Sequence, residues 1–90
     1  MARVASTAHI HGLTMLQVQD MTQFQRITTG LKIFEEYLSP KDNPGEIECM
    51  TNVLRVRGVH REALGGNDLV KLEEMGWQWH EKRQHWWIAA

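Results

Sequence analysis

The stretch GGNDLVKLEEMGWQWHEKRQHWWI, residues 65–88, decides the fold, and it contains all four tryptophans of the chain. It reads as a short helix feeding a β-hairpin. Asn67 is placed to cap the helix N-terminus through its side-chain oxygen, with Asp68 beside it favourable to the helix dipole. Leu69, Leu72 and Met75 fall three apart on one face, and Val70 widens it. Gly76 suits the left-handed position after the last turn, and Trp77 beyond it folds back on Leu72 as in a Schellman ending.

In the hairpin, a loop of two residues (Lys82, Arg83) or of four (Glu81 to Gln84) gives one and the same register. Trp79 then faces Trp86 and Trp77 faces Ile88 on one side of the sheet, while Gln78 with Trp87 and His80 with His85 share the other. The first side is predicted core. Trp87 lies on the opposite side and needs its own cover.

Outward from this segment the pattern becomes helical at Asp20, read as an N-cap with Gln23 three residues on. Phe24, Ile27, Leu31, Phe34 and Leu38 recur at intervals of three and four, which lines one helical face, broadened by Ile33 and Tyr37. Thr28, Thr29 and Gly30 in its middle weaken intrinsic propensity, so tertiary or dimer packing must hold this helix. Ser39-Pro40 stops it, and PKDNPGE, residues 40–46, is a loop. Residues 47–50 have extended character. Asn52 to Val59 alternates as a strand, with Leu54 and Val56 on one face and Val53, Arg55 and Arg57 on the other.

The predicted order is therefore α-β-α-β-β, an α+β domain over residues 21–90 whose three-stranded, mostly antiparallel sheet is covered by helices. His85 to Ile88 is apolar on both faces, which places it centrally, antiparallel to the strand carrying Arg55. The alternative order puts the hairpin's first strand in the middle. Residues 1–20 form either an N-terminal extension or an added edge strand built on Leu13, Met15 and Leu16 to Val18, and their apolar stretches are too broken for a secretory signal.

A chain of 90 residues buries a modest share of its surface, so self-association as a homodimer is expected. Ten Lys and Arg against eleven Asp and Glu offer no bulk attraction to phosphate or anionic membrane. No apolar run is long enough to span a membrane. The single cysteine, Cys49, has no intramolecular disulfide partner and fits a reducing, cytoplasmic setting.

Candidate chemistry is sparse. His80 with His85, or His9 with His11, are close enough in strand spacing to share a metal ion, yet neither pair brings a third ligand at a recognisable spacing. Cys49 has nothing beside it that marks an activated nucleophile. Gly65-Gly66 lacks the longer Gly spacing and the Lys of a phosphate-binding loop. No cofactor and no catalytic residue is therefore assigned.

Arg55, Arg57 and Arg61, with Trp87 and the His80 and His85 pair, form the candidate interaction surface. Trp and Arg dominate interface energetics, which favours a protein partner. Nucleic acid is the alternative, with Arg55, Arg57 and Arg61 tracking phosphates and Trp87 stacking a base. A metal-binding protein or a small dimeric enzyme is a second alternative.

The helix MTQFQRITTGLKIFEEY, a strand, and then DLVKLEEMGWQWHEKRQHWW resemble small uncharacterised phage or mobile-element proteins that end in an acidic helix, Gly-Trp and an aromatic hairpin. The matching positions are Leu72, Gly76, Trp77 and Trp86, all structural. That resemblance implies binding of a host protein rather than catalysis.

Overall fold

The computed structural model describes residues 15–89. Two helices open it, α1 (Met15–Asp20) and α2 (Gln23–Glu35), followed by the strands β1 (Glu46–Cys49) and β2 (Val53–Arg57). A 3-10 turn, Arg61–Ala63, leads to α3 (Gly66–Glu74), and the chain ends in β3 (Gln78–His80) and β4 (His85–Ala89). The fold class is α+β, and the sheet is antiparallel throughout with the order β1-β2-β4-β3. It has four strands rather than three, because residues 46–49 pair fully with β2. β4 lies between β2 and β3, where its apolar character on both faces predicts it.

The hairpin keeps its predicted register, with Gln78 against Trp87, Trp79 against Trp86 and His80 against His85. Its loop is the four-residue version. Lacking an Asn-Gly signal, the loop is held by its own side chains. Gln84, in the left-handed region at φ 56°, donates its N–H to the His80 carbonyl at 2.8 Å, and its side-chain amide donates to the Glu81 carbonyl. The N–H of Arg83 donates to His80 Nδ1 at 3.2 Å, and Trp79 Nε1 donates to Glu81 Oε1 at 2.9 Å.

α3 ends as its sequence predicts. Gly76 has φ 104°, the Trp77 N–H donates to the Leu72 carbonyl at 3.0 Å, and the Gly76 N–H donates to the Glu73 carbonyl at 3.1 Å. These two bonds make the Schellman motif. Its beginning differs from expectation, since Gly65 occupies the cap and contributes no side chain, so Asn67 is inside the first turn. Tyr37 compensates from α2's end: its hydroxyl accepts the Gly65 N–H at 3.0 Å and donates to Asp68 at 2.5 Å. That hydrogen bond to a carboxylate raises the phenol above its ordinary pKa.

α2 begins two residues later than predicted. Thr22, not Asp20, is the cap, and with Gln25 it forms a reciprocal capping box. Asp20 instead ends α1, so residues 15–20 are helical and not an edge strand, with Val18 buried in the core. The buried face of α2 also turns. Phe24 is 75% exposed, while Gly30, Ile33 and Phe34 are buried. At 3.6 residues per turn, Phe24 lies about 120° around the helix from Gly30. Gly30 marks the line of closest approach because the Trp77 indole lies directly on it, and Trp77 Nε1 donates to the Arg26 carbonyl at 3.0 Å.

The core lies between the helices and one face of the sheet. Trp77, Trp86, Leu72, Met75 and Phe34 are buried together, with Leu54, Val56 and Ile88 from the strands. Phe34 meets Trp77 edge-on at 5.0 Å between ring centroids and Trp86 at 5.8 Å. Trp79, at the hairpin edge, is half-buried between Trp86 and His60. No helix among the described residues is long and apolar enough to cross a membrane.

Candidate functional site

Because the helices pack on the face of Leu54, Val56, Trp86 and Ile88, the alternate residues of every strand are left on the other face. Among the described residues no helix covers that face. Register places Glu48, Arg55, Trp87 and Gln78 in one row across the four strands. In the next row Glu46 pairs with Arg57, and His85 pairs with His80, with Arg57 and His85 adjacent in the continued register.

Five of the six residues singled out from sequence are thus brought onto one surface: Arg55, Arg57, His80, His85 and Trp87. Arg61 is not among them. It sits in the 3-10 turn, where Arg61 Nη2 is 3.6 Å from Glu73 Oε2 on α3. The turn after Gly58 carries it off the strand, so the strand alternation that predicts Arg55 and Arg57 does not reach it.

The acidic residues of β1 complete the surface, and their presence follows from the fourth strand. Arg55 is held by Glu48, 3.2 Å from Nη1 to Oε1. Arg57 is exposed and pairs in register with exposed Glu46. Charges of both signs are therefore interleaved around Trp87, which is half-buried.

His85 is an unexpected member of this face. An open sheet face predicts an exposed imidazole, yet His85 is only 2% exposed. Its ring is 5.1 Å from that of His80, and its Nδ1 has no hydrogen-bond partner among the described residues. Burial pushes its pKa below the ordinary value, and the charges of Arg55, His80, Arg57 and Arg83 push it further down. His85 is accordingly held toward its neutral form beside Arg55 and Arg57. When the His80 ring is neutral, its Nδ1 accepts from the Arg83 N–H and its proton sits on Nε2.

The His80 and His85 pair acquires no third ligand, since no group of three His, Cys, Asp or Glu side chains among the described residues is arranged to hold a metal ion. His9 and His11 lie outside the described residues. Cys49 is a free, exposed thiol on β1. No family model, curated protein or solved structure matches the chain.

Proposed function

We propose that this protein is a non-enzymatic binding module that docks another protein through the uncovered sheet face centred on Trp87. The observation that carries the reading is the segregation of the fold: described helices on one side of the sheet, and on the other a Trp flanked by Arg55, Arg57, His80 and His85. Arg and Trp supply large, partly rigid contact area, and a surface with a buried aromatic centre and a polar rim is the usual form of a protein interface. Glu46 and Glu48 on the same face favour a protein over a polyanion. A second copy of the chain is the simplest partner, and a host protein is the partner that the resemblance to mobile-element proteins implies. The free Cys49 suits a reducing compartment.

The test is affinity capture of the protein against host lysate with Trp87→Ala and Arg57→Glu as controls, together with light scattering across a concentration series. Specific partners, or a dimer, lost in both variants support the reading. Equal capture by all three forms refutes the Trp87 surface. Nucleic-acid binding that weakens steeply with salt would transfer the same face to the alternative ligand.

A further inference from the structure

The outer edge of β1 has a separate role to which its hydrogen-bond register points. The Met50 N–H donates to the Val53 carbonyl at 2.8 Å, so these residues form a bonded pair of the ladder. Bonded and non-bonded pairs alternate in an antiparallel ladder. Glu48 with Arg55 and Glu46 with Arg57 are therefore bonded, whereas Ile47 and Cys49 turn their N–H and C=O groups away from β2. Among the described residues no strand pairs with that edge.

The two sides of this edge differ in chemistry. On the helix side, Ile47 is 60% exposed at the rim of a mainly apolar groove of about 660 Å³, lined by Leu31, Phe34 and Leu38 of the α2 region and Val56 of β2, and also by the charged Lys32, Glu35 and Glu46. The groove exists because α2 stops at Glu35 and the following loop, pinned by the Asn43 amide donating to the Gly58 carbonyl at 2.7 Å, passes beside β1 without covering it. On the other side stand the carboxylates of Glu46 and Glu48, both exposed.

We propose that β1 accepts an extended segment of a protein partner as a fifth strand, and that the segment alternates apolar residues with Lys or Arg. The residue of the added strand opposite Ile47 points into the groove, the one opposite Cys49 lies on the same side, and those opposite Glu46 and Glu48 meet carboxylates. The same geometry argues against a second copy as the occupant. Antiparallel self-pairing that sets Ile47 opposite Ile47 or Cys49 of a second copy places Glu46 opposite the second copy's Glu48, or Glu48 opposite its own counterpart, and the register centred on Cys49 leaves Ile47 opposite Thr51, outside β1. Like charges so placed are destabilising.

Two fluorescein-labelled peptides, one alternating Val with Lys and one alternating Val with Glu, test this by anisotropy with the full chain. The Lys peptide binds more tightly by about tenfold or more, the consequence of exchanging two cross-strand attractions for repulsions. On its addition the Ile47 and Cys49 amides become protected from hydrogen exchange. Ile47→Pro removes an outward donor that β2 does not use, so it abolishes binding while the fold persists. Ile47→Lys sets a charge against the peptide's apolar residues and weakens binding, and it serves if the proline variant does not fold. Equal affinity for both peptides, affinity for neither, or protection of the Ile47 amide by raising protein concentration alone would overturn the proposal. Trp87→Ala leaves the peptide affinity unchanged, so failure here and failure of the Trp87 surface are separable.

Discussion

Replacing Gly30 by Ala pits helix propensity against packing. In the interior of α2, Ala is favoured over Gly by about 1 kcal/mol, which by itself makes Gly30→Ala stabilising. The structure reverses that sign. A Cβ on Gly30 would lie 2.1 Å from Trp77 Nε1 and 2.5 Å from Cε2, and these are ring atoms of a side chain only 1% exposed. The indole cannot rotate away as a flexible chain end would, because Phe34 packs edge-on against it at 5.0 Å and Leu72 and Met75 share the same core.

Moving the indole breaks its hydrogen bond to the Arg26 carbonyl, a loss of about 1 kcal/mol that cancels the gain in propensity. Overpacking then costs about 1–3 kcal/mol. The net is a destabilisation of about 1–3 kcal/mol, or a melting temperature lower by roughly 5–20 °C for a domain of this size. Urea and thermal unfolding followed by tryptophan fluorescence and circular dichroism measure it, with Thr29→Ala as the control for propensity alone. In a Trp77→Phe background, Gly30→Ala costs at least about 1 kcal/mol less, since the clashing atoms are gone. A Gly30→Ala protein as stable as the parent refutes the account of why this helix carries a glycine at its centre.

At the end of α3, Gly76→Ala destabilises by about 1–2 kcal/mol through backbone strain alone. The nearest atom to its Cβ is 3.9 Å away, so Gly76→Asn, which tolerates positive φ, loses less in the same unfolding assay. Tyr37→Phe costs about 1–2 kcal/mol by removing both bonds at the start of α3. The Tyr37 phenol titrates above 10 because the Asp68 carboxylate holds its proton, and the stability it adds is present below that pH and lost as pH rises through the folded value. Asp68→Asn lowers the absorbance midpoint; an unchanged midpoint removes the coupling. His85 has the opposite sign. Its folded pKa is depressed, so the unfolded chain binds the proton more readily, and stability falls as pH drops below about 6.5 toward the folded value. His85→Gln flattens the unfolding free energy below about pH 6.5, and an undiminished slope in that variant would assign the effect elsewhere.

The features legible in the sequence are those written in short-range pattern. Gly76 followed by Trp77 specifies the helix ending through backbone conformation alone. The alternation of Trp79, Trp86 and Ile88 against His80, His85 and Trp87 specifies hairpin register, because a slip of one residue would exchange every ring between core and surface. Arg55 and Arg57 fall on the face of Trp87 for the same reason of period.

Other features depend on what lies across the molecule. β1 is exposed along its whole length, so no burial pattern marks it as a strand, and only pairing with β2 makes it one. The start of α3 carries no cap of its own because the capping hydroxyl comes from Tyr37, 31 residues from Asp68 in sequence. Phe24 fits the helical spacing but not the line of contact, which Trp77 sets by lying on Gly30. His85 occupies a position whose alternation predicts exposure, yet it is buried. Sequence period determined which residues share a face of each element. Tertiary structure alone decided which faces are covered, since burial is a property of the neighbours that long-range pairing brings, and from that follow, among the described residues, both the open Trp87 surface and the free edge of β1.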